Sequence, residues 1–71
     1  MNNTYAVIYE PTRTGYSAYA PDLPGCIATG KTLQETRKRM LGAMEFHLRS
    51  MREDGDPIPE PTRIADMTQV A

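Results

Sequence analysis

From Thr4 to Gly30 the hydrophobic positions fall in short runs close to period two, broken at prolines and glycines, whereas from Thr32 to Asp54 they recur with a helical period. Thr4-Tyr5-Ala6-Val7-Ile8-Tyr9-Glu10 is β-branched and aromatic and stops at Pro11, which predicts a first strand. Pro11 to Gly15 is turn chemistry. Tyr16 to Ala20 then predicts a second strand, with Tyr16, Ala18 and Ala20 on one face and Ser17 and Tyr19 on the other. Pro21-Asp22-Leu23-Pro24-Gly25 holds two prolines and a glycine, so its backbone largely sets its own shape. A short third strand, Cys26 to Thr29, runs to Gly30.

Thr32-Leu33-Gln34-Glu35 is a capping box, with the Thr32 hydroxyl taking the Glu35 amide and the Glu35 carboxylate reaching back to the Thr32 amide. Leu33, Met40, Leu41, Met44, Leu48 and Met51 fall within one stripe, centred on Met44, that should face the sheet. Gly55 suits the C′ position, Arg49 and Arg52 suit the last turns, and Pro57 bars continuation. A helix over 32–54 would be about 34 Å long, whereas five to seven strand residues reach only about 17–23 Å, so its second half should overhang the sheet. Pro57-Ile58-Pro59-Glu60-Pro61 is an extended connector, and Thr62 to Val70 alternates imperfectly as a fourth strand. A right-handed crossover through the helix would lay that strand parallel beside the first. The expected class is α+β: one β-β-β-α-β domain over 1–71, one helix on a small mixed sheet.

Composition narrows the setting. With 71 residues, 39% hydrophobic, the chain can build only one small core, and burial at this size barely exceeds chain entropy. One cysteine, Cys26, cannot close an intrachain bridge, and one histidine, His47, leaves too few soft ligands for a closed zinc site. Self-association, as a dimer or tetramer, is the remaining supplement. Eight Lys+Arg against nine Asp+Glu give a net charge of −1, so no basic excess draws the domain to nucleic acid. No stretch is long and apolar enough for a membrane, and the N-terminus lacks the signal-peptide pattern, so the expected location is cytoplasmic, with reduced thiols.

No catalytic, metal or cofactor constellation emerges. Cys26 reads as a small buried hydrophobe and His47 as a core-facing, hydrogen-bonded histidine, not as a nucleophile and its base. Glu10, Asp22, Glu35 and Asp54 lie at a turn, a loop, a cap and a helix end, too scattered for two-metal nuclease chemistry. Arg37, Lys38 and Arg39 point in different directions on the helix and read as a solvated face. Phe46 falls far from the Met44-centred stripe, so its ring cannot reach the same sheet; it is either a singly exposed aromatic or a partner contact. Leu23, held between Pro21 and Pro24, reads as a preorganised contact residue or as a cap on the sheet.

The run from Tyr16 to Cys26 with its Pro21-Asp22-Leu23-Pro24-Gly25-Cys26 loop, then Gly30-Lys31-Thr32-Leu33-Gln34-Glu35, the helix ending at His47-Leu48, and Asp54-Gly55-Asp56-Pro57-Ile58-Pro59-Glu60-Pro61 together resemble the HicB-like antitoxin family. The resemblance implies a partial RNase H-like fold without nuclease activity, acting as a non-enzymatic antitoxin that binds and occludes a HicA-like RNA-cleaving toxin. The expected protein-binding residues are Asp22, Leu23, Pro24, Gly25 and Phe46. Many members are longer, with a C-terminal DNA-binding module that is expected to be missing from this chain, and Thr36 stands where such sequences usually carry alanine. The alternative reading is an orphan member that has lost its toxin and serves as a homo-oligomeric peptide- or small-molecule-binding module.

Overall fold

The computed structural model of the chain describes residues 4–62. Three strands, β1 (Ile8–Thr12), β2 (Gly15–Tyr19) and β3 (Ile27–Gly30), precede one helix, α1 (Leu33–Asp54). The sheet runs in the order β1-β2-β3, antiparallel throughout, and α1 lies across β2 and β3. The helix and the sheet form two packed layers. This is the expected α+β class. The fourth strand, and with it the mixed character of the sheet, falls on residues beyond Thr62 and so lies outside the described residues.

The first strand begins later than its propensity suggests and runs through Pro11. Ile8 pairs with Tyr19, and β2 has no further partner to offer, because the chain turns away at Ala20 and Pro21. Pro11 is tolerated opposite Tyr16 because, among the described residues, β1 pairs on one side only and such a position need not donate an amide hydrogen.

Both helix ends follow from local chemistry. The Thr32 side chain accepts from the Glu35 amide at 3.0 Å, and Gly55, at φ 73°, closes the C-terminus with Gly55 N–H donating to Arg52 O and Asp56 N–H to Met51 O. Only half of the capping box forms. The Glu35 carboxylate pairs forward with Arg39 at 2.8 Å, and Thr32 O instead takes two bonds from Thr36, one from its amide and one from its hydroxyl.

The buried face of α1 is rotated from the Met44-centred stripe toward Thr36 and Ala43. Thr36 and Met40 are fully buried and Ala43, Met44 and Leu48 pack against the core, while Leu33 and Leu41 are exposed. The cause is a close approach at the start of the helix. A Cβ on Gly15 would lie 2.1 Å from Gly30 O, and a Cβ on Gly30 would lie 2.7 Å from the Thr36 hydroxyl and 2.9 Å from the Thr36 amide. Gly15, Gly30 and Thr36 are thus stacked nearly backbone on backbone, and this seats the helix on its Thr36 side. His47 is half-buried, lies outside the core cluster and makes no hydrogen bond among the described residues, against the expectation of a bonded core histidine.

The core consists of Tyr5, Ala18, Ala20, Leu23, Cys26 and Met40, with Val7, Tyr9 and Ala28 alongside. Leu23 is 0% exposed. The Pro21–Gly25 loop therefore points its leucine inward and does not present it to a partner. Leu23 N–H donates to Ala20 O, Cys26 N–H donates to Leu23 O, and Gly25 takes φ 85°; these two successive turns fold the loop under itself and drive the side chain into the sheet end.

Candidate protein-binding surface

Asp22 ties the loop to the far end of the described chain. Its carboxylate accepts the Thr62 amide at 2.8 Å and the Thr62 hydroxyl at 2.5 Å. The Tyr5 hydroxyl donates to Pro59 O. The proline-rich connector is thereby pinned at two points to the sheet end that carries the loop. Asp22→Ala should free it: we expect a loss of about 1 kcal/mol, the scale of a hydrogen bond to a partly solvated carboxylate, with faster amide exchange at Thr62 than in the wild type. Unchanged exchange at Thr62 would show that the connector is held by other contacts.

Of the five expected binding residues, Leu23 is buried, Asp22 is engaged with Thr62, and Pro24, Gly25 and Phe46 are exposed. The fold also exposes a surface that reading the strands singly misses. Ile8 pairs with Tyr19, and Tyr19 with Ile27, so these three side chains form one row across all three strands. By strand alternation the row lies on the side away from α1, whose neighbouring row is Tyr9, Ala18 and Ala28. All three are exposed, Ile27 to 68%. Sizes are inverted: small Ala18 and Ala28 face the helix, which lets it approach closely, and the large apolar residues face outward. That inversion is visible in the alternating pattern once the register is known. The row ends near the exposed Pro24–Gly25 turn, from which Ile27 is separated by Cys26 alone.

On the helix, two of the three adjacent cations are engaged within the fold. Arg37 lies over the Tyr9 ring at 6.0 Å from its centroid, and Arg39 donates to Thr29 O at 3.0 Å while pairing with Glu35. This removes most of a continuous basic stripe. Burial pushes the Cys26 thiol pKa up, which keeps it protonated and a poor nucleophile. Among the described residues no three of His, Cys, Asp or Glu gather to hold a metal, and no helix is long and apolar enough to cross a membrane. An open groove of about 370 Å³ runs between Tyr5 and the second half of α1, with Leu41, Met44 and Leu48 as its apolar lining and Arg49 and Arg52 beside them.

These features define a small sheet-and-helix module with large apolar residues exposed on its surface. The HicB-like antitoxin model of bacterial toxin–antitoxin systems matches residues 5–71, and the chain belongs to that family. It is 35% identical over 60 residues to an uncharacterized 14.9 kDa protein of the rep–hol intergenic region of Haemophilus phage HP1, covering 84% of this chain and 45% of the phage protein. It thus spans about half the length of that relative. A UPF0150 protein of Synechocystis is 32% identical over 57 residues, covering 79% of this chain and 72% of its own. Among solved structures, a chain of a HicA3 and HicB3 toxin–antitoxin complex superposes with TM-score 0.72 at 28% identity, covering 84% of this chain and 70% of that one.

Proposed function

We propose that this chain neutralises a HicA-like RNA-cleaving toxin by docking on it and covering the surface that takes RNA, without chemistry of its own. The observation that carries this reading is the likeness, at 28% identity and TM-score 0.72, to a chain of a toxin–antitoxin complex. The docking side is the open sheet face, where Ile8, Tyr19 and Ile27 offer a contiguous apolar row next to the rigid Pro24–Gly25 turn. Little of this surface must be ordered on binding, because strand pairing and loop backbone already hold it. The groove beside Tyr5 favours a second reading, an orphan module that holds a peptide or small molecule there.

The test begins with the reading frame that adjoins that of this chain, which should encode a HicA-like toxin. Wild-type protein should suppress RNA cleavage at stoichiometric ratio. Ile27→Asp should weaken toxin binding at least about tenfold, as for a central apolar contact, and restore cleavage with an unchanged melting temperature, because the side chain it replaces is exposed. The absence of such a frame, or cleavage unaffected by the wild type, would overturn the antitoxin reading in favour of the orphan. Full suppression by Ile27→Asp would remove the toxin from this face.

A further inference from the structure

A second open groove, of about 360 Å³, lies at the hairpin end of the sheet, opposite the end that carries the Pro21–Gly25 loop. Two glycines let its walls meet. A Cβ on Gly15 would fall 2.1 Å from Gly30 O and 2.8 Å from the Lys31 Cα, so the tip of the β1–β2 hairpin sits against the turn from β3 into α1. The hairpin lends the groove the hydroxyls of Thr12, Thr14 and Tyr16, and β3 lends that of Thr29. The turn adds the Lys31 ammonium and α1 the Arg39 guanidinium. Among the described residues the four hydroxyls and the ammonium have no hydrogen-bond or ion-pair partner. Arg39 is already held: one nitrogen donates to Thr29 O at 3.0 Å and another pairs with Glu35 at 2.8 Å, which fixes the direction of its remaining N–H groups. Glu35 is the single carboxylate in the lining, and this pairing offsets it. Arg13, exposed between Thr12 and Thr14 at the hairpin tip, adds a third cation, so this end is positive on a chain of net charge −1.

We infer that this groove binds a phosphate group, free or carried as the monoester of a small molecule. The donors outnumber what a carboxylate can use, since its two oxygens offer only about four lone-pair sites. A phosphate monoester presents three strong acceptor oxygens and close to two negative charges. Hydroxyls, an ammonium and a preset guanidinium, arriving from the hairpin, the β3 end and the helix, suit a compact group of that charge. The volume stands at the low end of the range of about 300–1,000 Å³ for small-molecule sites, which leaves room for a small ester beside the phosphate. An open mouth and the nearby Glu35 charge keep the binding weak, in the millimolar range or somewhat tighter. The groove lies at the opposite end of the strands from the row Ile8, Tyr19 and Ile27, so the inference stands independently of the toxin reading.

Amide chemical shifts of the full chain, titrated with inorganic phosphate, with adenosine monophosphate and with adenosine up to about 10 mM so as to bracket millimolar dissociation, test it. Both phosphates should move the Gly15, Gly30 and Lys31 amides along a saturating curve, and adenosine should not. Tighter binding of the monophosphate assigns the groove to an ester, and equal binding assigns it to phosphate itself. Lys31→Met should weaken both at least about tenfold, the scale of a hydrogen bond to a charged group. Its melting temperature should not change, because Lys31 is exposed and its ammonium makes no bond among the described residues. Glu35→Gln supplies the sharper check. Its amide oxygen can still accept from Arg39, yet a negative charge leaves the groove, so phosphate should bind more tightly than to the wild type. Absence of saturating shifts, shifts centred on other residues, adenosine binding as well as its monophosphate, or wild-type affinity in Lys31→Met each overturns the inference. So does a Glu35→Gln variant with no gain in affinity, which would place the anion away from this wall.

Discussion

Leu23→Ala is expected to cost about 2–5 kcal/mol of folding stability, because it empties a fully buried site at the sheet end. A domain of this length has only about 4–10 kcal/mol in total at about 0.05–0.15 kcal/mol per residue, so the variant should sit near the folding threshold. Its melting temperature should fall by 10 °C or more, at about 4–8 °C per kcal/mol for domains of this size. The neighbours leave little room for compensation. Three of the five other core residues, Ala18, Ala20 and Cys26, have short side chains, and the loop backbone is tied by Leu23 N–H to Ala20 O and by Cys26 N–H to Leu23 O. Denaturant titration gives the loss of stability, and toxin affinity per folded molecule, measured at low temperature, should change little. A variant with near-native stability and lost toxin binding would mean that the leucine acts at the surface after all.

Gly15→Ala should be nearly as damaging, for a different reason. The added Cβ would sit 2.1 Å from the Gly30 carbonyl oxygen and 2.8 Å from the Lys31 Cα, both backbone atoms of the adjoining segment. No rotamer change relieves such a contact, so the start of β2 must separate from the end of β3. Overpacking costs about 1–3 kcal/mol and sometimes more, and backbone on both sides places this case at the upper end. The displacement should pass to the first turn of α1, because Gly30 is itself packed against Thr36. Equilibrium unfolding together with amide chemical shifts of Gly30, Lys31 and Thr36 tests this. Small shifts and a loss under about 0.5 kcal/mol, the range of ordinary surface substitutions, would show that the two strands do not pack this closely. Gly42 is the opposite case, because a Cβ there would meet nothing within 4 Å.

The sheet presents Ile8, Tyr19 and Ile27 on one side, and the helix presents Gly42 and Phe46 on the other. The row Ile8, Tyr19 and Ile27 is apolar, and the net charge of the whole chain is only −1. Toxin affinity through the Ile8–Tyr19–Ile27 row should therefore vary little with salt.

The sequence by itself determined the features whose physics is local. The start of α1 at Thr32 and its end at Gly55 follow from a side-chain cap and a left-handed glycine, and neither needs a tertiary partner. The hairpin of β1 and β2, the turn-rich loop after Ala20 and the exposure of Phe46 follow likewise from residue type and from the angle each residue occupies on its element. Tertiary structure decided what depends on which surfaces meet. Leu23 turned inward because the loop folds under the sheet end, and the helix rolled toward Thr36 because Gly15 and Gly30 let three backbones approach. Ile8, Tyr19 and Ile27 became one row only through the register that joins the three successive strands. Caps and turns are settled among residues a few positions apart, whereas the facing of a side chain is settled by the segment that packs against it. That segment can lie anywhere in the sequence, as Thr62 does for Asp22.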